Sequence, residues 1–184
     1  MEKIYVNNLS ETTDKYEVVR PLFDWNTLEV EFIYKSDFVI TKDLRDFVEV
    51  TWEILWLPKD VIARMILISD ELNNNAIEYG SDQDWYNILR IKVKKEKEEV
   101  DFIMEVEDNG KWRASKTALD METMRAHKLK VWYSKHDSIR WRWLFLIAVQ
   151  VADRLYFKNS PSWGLIVWIK KKLKLHRDWV CCVK

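Results

Sequence analysis

Glycine is the residue that this chain most conspicuously lacks. It has 3 glycines in 184 residues, whereas average usage of roughly 7% would give about 13. It also has 11 tryptophans, and the two counts together come to an ordinary number of glycines. With 48% hydrophobic residues and no Gly or Pro repeat, the composition excludes collagen-like and disordered classes and indicates a globular protein.

Cysteine, net charge and long apolar runs are also scarce. The only cysteines are Cys181 and Cys182, and 30 basic residues balance 30 acidic ones. A neutral chain has no overall field to attract nucleic acid or an anionic membrane, so we expect neither as a partner. The longest apolar run, residues 143–152, is interrupted by Gln150 and is shorter than the roughly 20 residues that span a bilayer. With a polar start that does not resemble a secretory signal, these features predict a cytoplasmic protein without a membrane helix.

Several tryptophans occupy positions where backbone chemistry favours glycine. Trp25, Trp85 and Trp163 lie in polar, turn-like surroundings, where a large indole has no evident packing role. One interpretation is a tryptophan-rich surface that binds a partner, because aromatic side chains anchor interfaces. We favour another hypothesis. Some bacteria read the codon UGA as glycine, and a translation that reads it as tryptophan would place Trp at a subset of true glycine positions.

Hydrophobic periodicity predicts a single domain. Strands are expected at residues 28–34, 88–93, 100–106, 155–159 and 165–173, and helices at 41–55, 58–79, 117–127 and 144–155, with an irregular basic stretch at 128–139. Thr41 is predicted to cap the first helix and Gly80 to end the second. This order predicts an α+β, two-layer sandwich with helices on one face of a mixed, largely antiparallel sheet. The domain covers residues 27–173, between an N-terminal extension (1–26) and a C-terminal tail (174–184).

The end of the second helix carries the first candidate site. Glu71 and Asn75 are four residues apart and share a helix face. The run of asparagines from Asn73 to Asn75 disfavours helix, because their amides compete for backbone hydrogen bonds. The segment is either an exposed polar helix end or a functional pair, in which Asn75 supplies an oxygen ligand for Mg²⁺ and Glu71 a carboxylate base.

The second candidate site follows the strand at residues 100–106. The period of two places Asp108 on the apolar face of that strand, where a carboxylate needs a hydrogen-bond donor. Asn109-Gly110 could instead form a hairpin turn, but residues 111–115 do not alternate as a returning strand would. We therefore favour an Asp108 that faces a ligand, with an amino group such as that of adenine as its partner.

The third candidate site is a basic loop that leads into an apolar helix. It contains Arg140, Trp141, Arg142, Trp143 and Leu144. If both tryptophans are glycines, the loop becomes flexible and its amides open onto a positive helix end, which is a cradle for phosphate. As written, the segment is equally an aromatic core edge with surface arginines.

In their order and spacing, the three segments resemble the N, G1 and G2 boxes of the GHKL (Bergerat) ATPase superfamily, the histidine kinase-like ATPases. Residues 71–76 resemble the N box, residues 108–112 the Asp-x-Gly-x-Gly box with Trp112 at its second glycine, and residues 140–147 the Gly-x-Gly-Leu box. Trp163-Gly164-Leu165 resembles the family's late Gly-Gly-Thr turn, with leucine in place of threonine. The resemblance covers residues 27–173 and is closest to the anti-sigma-factor serine/threonine kinases.

The resemblance implies a Bergerat ATP-binding fold that binds ATP and Mg²⁺ beneath a mobile lid at about residues 114–139. It gives Glu71 the role of catalytic base, Asn75 that of Mg²⁺ ligand and Asp108 that of adenine ligand. It places Gly110, Trp112 and the loop from Arg140 to Leu144 around the nucleotide. The implied function is phosphorylation of a small antagonist protein of the STAS type by a kinase that also holds a sigma factor, in a family in which homodimers are usual. The alternative is a non-catalytic binding module of the same fold.

Overall fold

A computed structural model of the chain describes residues 1–110, 116–130 and 152–174. Its six strands are β1 (Glu2–Tyr5), β2 (Thr27–Lys35), β3 (Tyr86–Lys95), β4 (Glu99–Glu107), β5 (Arg154–Asn159) and β6 (Leu165–Lys174). They form one sheet in the order β1-β2-β3-β4-β6-β5. The β1–β2 pair is parallel and the other four pairs are antiparallel.

The helices are α1 (Lys15–Val19), α2 (Thr41–Ile54), α3 (Lys59–Asn75) and α4 (Ala118–Lys130). Their buried side chains join those of the sheet in one hydrophobic core. The predicted fold class, an α+β two-layer arrangement on a mixed and mostly antiparallel sheet, is confirmed. In the described part of the chain, no helix is long and apolar enough to cross a membrane.

The alternation of β4 explains which face of the sheet is covered. Its even-numbered residues Val100, Phe102, Met104 and Val106 are all at most 2% exposed, and Asp108 continues the same face. The opposite face carries charge, because Arg90 of β3 bonds to carboxylates on both neighbouring strands. The partners are Glu31 at 2.7 Å, Glu105 at 2.6 Å and Glu107 at 2.7 Å. Burial alone would lower the pKa of Arg90, but the hydrogen bonds from these carboxylates raise it above its ordinary value.

Helix boundaries differ from the prediction where local hydrogen bonds intervene. Thr41 is the first residue of α2 and not its cap, because Asp37 accepts a hydrogen bond from Val39 N (3.0 Å) and caps a 3₁₀ turn over Phe38–Ile40. α3 ends at Asn75 and continues as a π-helical turn over Ala76–Gly80, so its last turn is wider than the predicted α-helix.

Three further elements were placed wrongly or missed. Residues 152–154, predicted to belong to the helix at 144–155, are not helical, and β5 begins at Arg154, one residue before the predicted start of that strand; residues 144–151 lie outside the described residues. Residues 128–130, predicted to be irregular, belong to α4. β1, which the sequence did not reveal, lies within the N-terminal extension and adds an edge strand beside β2.

Three tryptophans have an unusual backbone. Among the described residues other than glycine, positive φ occurs only at Trp25 (42°), Trp56 (59°) and Trp163 (71°). Their side chains are 88%, 64% and 89% exposed. This left-handed region crowds any Cβ; glycine adopts it readily, and Asn and Asp do so occasionally. The three tryptophans therefore have a backbone conformation that is typical of glycine, although each carries an indole side chain.

Candidate functional site

Asp108 forms the centre of the candidate site. It follows β4 directly and is 8% exposed. Its Oδ1 accepts hydrogen bonds from the backbone N–H of Gly110 (2.9 Å) and of Leu165 (3.0 Å), and its own N–H donates to Leu165 O (3.0 Å). These bonds tie the end of β4 to the start of β6 and fix the orientation of the carboxylate.

All three glycines of the chain meet at this carboxylate. A Cβ on Gly80 would lie 2.5 Å from Asp108 Cγ, and one on Gly164 would collide with Asp108 O. Gly110 has a φ of 75°, and a Cβ there would collide with the carbonyl oxygen of Trp163. No side chain fits at any of these contacts, because real Cβ atoms essentially never approach other atoms so closely. Gly80, Gly110 and Gly164 thus allow three backbone segments to close around Asp108.

The alternative of a hairpin turn at Asn109-Gly110 is excluded. A returning strand would have to pair with β4, but β3 and β6 already occupy both sides of it. The structure instead directs Asn109 toward the turn before β3. Asn109 N donates to Ser81 Oγ (2.8 Å), and Asn109 Nδ2 donates to Tyr86 O.

A second layer of buried polar groups supports the site, and the sequence analysis missed it. Ser81 Oγ donates to Asn87 Oδ1 (2.7 Å), and Asn87 is fully buried. Ser81 thus connects Asn109, the residue after Asp108, to the start of β3. Ser81 belongs to no periodic pattern, whereas Asn87 is in step with the buried Leu89, Ile91 and Val93 of β3, and this alternation is the signal that could have found it.

Tyr34 connects Asp108 with α3. Its hydroxyl donates to Asn73 Oδ1 (2.7 Å), and Asn73 Nδ2 donates to Ser69 O (2.8 Å) and Ser69 Oγ (3.0 Å). Burial, and then the negative charge of Asp108, raise the pKa of Tyr34 well above its ordinary value. The phenol therefore stays neutral and acts as a donor. Since Asn73 is 3% exposed, an exposed polar helix end is wrong for this part of the asparagine run.

Glu71 and Asn75 lie on α3 as predicted, four residues apart and both half-buried. Asn75 Nδ2 is enclosed and has no hydrogen-bond partner within the described segments. The amide nitrogen only donates hydrogen bonds, so Oδ1 is the atom of the Asn75 side chain that can bind a cation. The described residues include no cluster of three His, Cys, Asp or Glu side chains that could hold a metal ion. A single amide ligand fits Mg²⁺, which keeps most of its waters and binds substrate phosphates.

The remaining predicted site residues lie outside the described residues. They are Trp112, Arg140, Trp141, Arg142, Trp143 and Leu144. Part of the predicted lid is described, and it is the helix α4. It begins with a reciprocal cap in which Asp120 N donates to Thr117 Oγ1 (3.2 Å) and Thr117 N donates to Asp120 Oδ2 (2.8 Å). Arg125 Nη1 donates to Leu155 O (2.9 Å), which holds α4 against β5.

Comparison with known proteins gave no assignment. No family model matches the chain, and no curated protein is significantly similar to it.

Proposed function

We propose that this protein binds ATP and acts as a serine/threonine kinase of the anti-sigma-factor type, which phosphorylates a small antagonist protein. The observation that carries the proposal is the buried Asp108, which two backbone amides hold in place and around which Gly80, Gly110 and Gly164 are gathered. Together with the resemblance of the three sequence boxes to the GHKL superfamily, this arrangement favours a nucleotide site.

Asp108 supplies the specificity for adenine. Its Oδ1 is engaged by Gly110 N and Leu165 N, whereas Oδ2 lies toward the backbone of Gly80, 2.6 Å from the Cβ position that glycine leaves empty. An ionised carboxylate only accepts hydrogen bonds. It therefore pairs with the exocyclic amine of adenine and not with the carbonyl that guanine has at the corresponding position.

Glu71 and Asn75 supply the reactive end of the site. Glu71 accepts the proton of the attacking serine or threonine hydroxyl as its oxygen bonds to the γ-phosphorus, and the bond from that phosphorus to the ADP oxygen breaks. Asn75 Oδ1 is the protein ligand for Mg²⁺, which when bound neutralises charge on the phosphates. The spacing of one helical turn keeps base and metal ligand on the same side of α3.

The partners and compartment follow from the same proposal. The kinase holds a sigma factor and modifies a STAS-type antagonist in the cytoplasm. It forms a homodimer, as is usual in the family that it resembles. Neither nucleic acid nor a membrane takes part, in keeping with 30 basic and 30 acidic residues.

Nucleotide discrimination tests the adenine contact. In a chain with glycine at positions 112, 141 and 143, Asp108→Asn should weaken ATP binding by about tenfold or more and GTP binding much less. The reason is that a hydrogen bond to a charged group contributes about 1.5–3 kcal/mol. Asp101→Asn, on the opposite face of β4, is the matched control. Equal losses for both nucleotides in calorimetry would show that Asp108 has a structural role alone.

Phosphate transfer separates the kinase from a non-catalytic binding module. Glu71→Gln should abolish transfer of the labelled γ-phosphate of ATP to an antagonist protein captured from the host, and it should leave ATP affinity within about threefold. Glu49→Gln on the exposed side of α2 is the control, with both properties unchanged. Transfer at the normal rate by Glu71→Gln would refute the base, and a parent protein that binds ATP without transfer would be a binding module.

A further inference from the structure

We infer that residues 25, 56 and 163 are glycines in the protein that its own cell makes, encoded by UGA, whereas Trp52 and Trp168 are tryptophans. The inference rests on backbone geometry and packing and is independent of the proposed function. It turns the composition anomaly into an assignment of individual positions.

Trp56 occupies the glycine position of a helix C-terminal motif. After α2, Trp56 N donates to Glu53 O (2.9 Å) and Leu57 N donates to Trp52 O (3.5 Å). This pair of bonds, with a left-handed residue just past the helix and a buried apolar residue after it, defines a Schellman motif. Trp56 has φ 59° and Leu57 is 6% exposed. The residue in the place of Trp56 is usually glycine.

Trp25 occupies the first central position of a two-residue turn. Asp24 N donates to Thr27 O (2.9 Å) and Thr27 N donates to Asp24 O (2.7 Å), with Trp25 and Asn26 between them. Tight turns of this kind need positive φ at the first central residue, which Gly, Asn and Asp provide. Trp25 has φ 42° and an indole that is 88% exposed.

Trp163 is the last of the three residues between Ser160 and Gly164, in the connection from β5 to β6. Ser160 N donates to Gly164 O (2.9 Å), and Trp163 N donates to Ser160 O (3.3 Å). Loops of this length most often combine a type I turn with a left-handed residue at the end, and that residue is glycine. Trp163 has φ 71°.

The preferences of tryptophan do not explain why three of these residues have positive φ at positions that favour glycine. Only a few per cent of non-glycine residues have positive φ, and Asn and Asp are the usual ones. Here half of the six described tryptophans have it, and no other described non-glycine residue does. The exposed indoles at 25, 56 and 163 bury too little surface to compensate for the crowding of their Cβ atoms.

Trp52 and Trp168 show the opposite behaviour. Trp52 is fully buried within α2 and its ring packs on Phe102 with centroids 4.8 Å apart. Trp168 of β6 stacks on Tyr156 at 4.0 Å. Both lie in regular structure with negative φ, where glycine would remove the contact and weaken the element. Trp85 has neither property, and the geometry assigns it to neither group.

Position 163 has a consequence for the candidate site. Its carbonyl is the atom that leaves no room for a side chain on Gly110. With glycine at 163, two consecutive glycines lie opposite Gly110. The contact with Gly110 is made by the backbone of residue 163, so it does not depend on the indole.

The gene and the native protein test the assignment directly. We expect UGA at codons 25, 56 and 163 and UGG at codons 52 and 168. Mass spectrometry of peptides from the source cell should show glycine at the first three positions and tryptophan at the other two. UGG at any of the first three, or an indole in the native peptide, would overturn the inference, as would UGA at codon 52 or 168.

Thermal unfolding of the recombinant full-length chain tests the backbone argument separately. Trp56→Gly should unfold about 2–4 °C above the matched control Trp56→Ala, because alanine removes the indole but retains the Cβ. Trp25→Gly and Trp163→Gly should behave likewise against their alanine controls. Trp52→Gly should lower Tm by about 6 °C or more. Alanine variants as stable as the glycine variants would contradict the assignment.

Discussion

Gly80 Cα and the Asp108 carboxylate are packed so closely that a β-carbon on Gly80 would lie 2.5 Å from Asp108 Cγ. The two residues come from different layers, since Gly80 ends the π-helical turn after α3 and Asp108 directly follows β4. The position of the carboxylate therefore depends on how this helix end meets the sheet.

Gly80→Ala should act mainly on Asp108, whose side chain is the nearest neighbour of the added methyl group. At an ordinary helical position, alanine stabilises relative to glycine by roughly 0.5–1 kcal/mol. Here we expect a loss of about 1–3 kcal/mol in denaturant unfolding, because the added methyl group must displace the carboxylate. Asn74→Ala, a change to alanine on the same helix, is the control. An increase in stability for Gly80→Ala would mean that the contact relaxes without cost.

Removal of three indoles should create ATP binding. We expect the chain with Trp112, Trp141 and Trp143 to bind Mg-ATP poorly or not at all, since glycine there would let the backbone approach phosphate oxygens. Replacement of all three by glycine should restore Mg²⁺-dependent binding in isothermal titration. A tryptophan-anchored binding surface predicts the reverse. Tight binding by the all-tryptophan chain, or none by the glycine version, would count against the nucleotide site.

Tyr34→Phe should remove the donor that satisfies Asn73 Oδ1. Leaving a buried acceptor unpaired costs about 1–3 kcal/mol of unfolding free energy. Tyr16→Phe, which removes an exposed hydroxyl, is the control and should change little. A loss no larger than that of the control would show that the buried chain from Tyr34 to Ser69 does not stabilise the fold.

The high pKa of Tyr34 also gives a spectroscopic prediction. Burial and the charge of Asp108 keep its phenol neutral at alkaline pH, where exposed tyrosines ionise. Tyr34 should therefore not contribute to the rise in phenolate absorbance when the folded wild-type protein is titrated with alkali. The Tyr34→Phe variant should accordingly show the same rise as the wild type before it unfolds. A smaller amplitude for the variant would place Tyr34 among the ordinary tyrosines.

Asp153 should contribute to acid sensitivity. Burial raises the pKa of Asp153, but hydrogen bonds from Lys171 Nζ (2.8 Å) and Lys172 N (2.7 Å) outweigh it, so the folded pKa lies below the ordinary 3.8. The carboxylate thus stabilises the fold above pH of about 4, and this contribution disappears as pH falls through the folded pKa. Its side chain is 45% exposed, so we expect less than about 1 kcal/mol. Asp153→Asn should flatten the dependence of unfolding free energy on pH between about 2 and 5.

An exposed aspartate in the turn before β3 provides the control for this measurement. Asp82→Asn should retain the wild-type slope. The same slope in Asp153→Asn would show that the contact with β6 contributes nothing to acid stability.

The sequence predicted the elements whose side chains follow a simple period. β4 alternates over its whole length, and Asp108 was placed on the correct face by extending that alternation. β1 was missed because only Ile4 of its four residues is buried, which leaves no pattern to detect. The start of α2 was misplaced because Asp37, four residues upstream of Thr41, provides the local cap.

The surroundings of Asp108 could not be predicted from the same patterns. Gly80, Gly110 and Gly164 are scattered along the chain, and nothing in their local sequence shows that they share one contact. Asn73 looked like its neighbours in the asparagine run, yet it alone of the three is buried, because its partner Tyr34 comes from β2. Both relationships depend on strand order, which short-range periodicity does not encode.

The direct pairing of β4 with β6 makes the connection between them tolerant of changes in length. Asp108 N and Leu165 O, at the two ends of this connection, are already joined by a hydrogen bond. Closing a connection twice as long costs only about 0.6 kcal/mol of chain entropy. Related chains would thus gain or lose whole segments between positions 111 and 152 and still align the same two strand ends around the same carboxylate. An insertion of a single residue within β4, in contrast, would turn that carboxylate to the other face of the sheet.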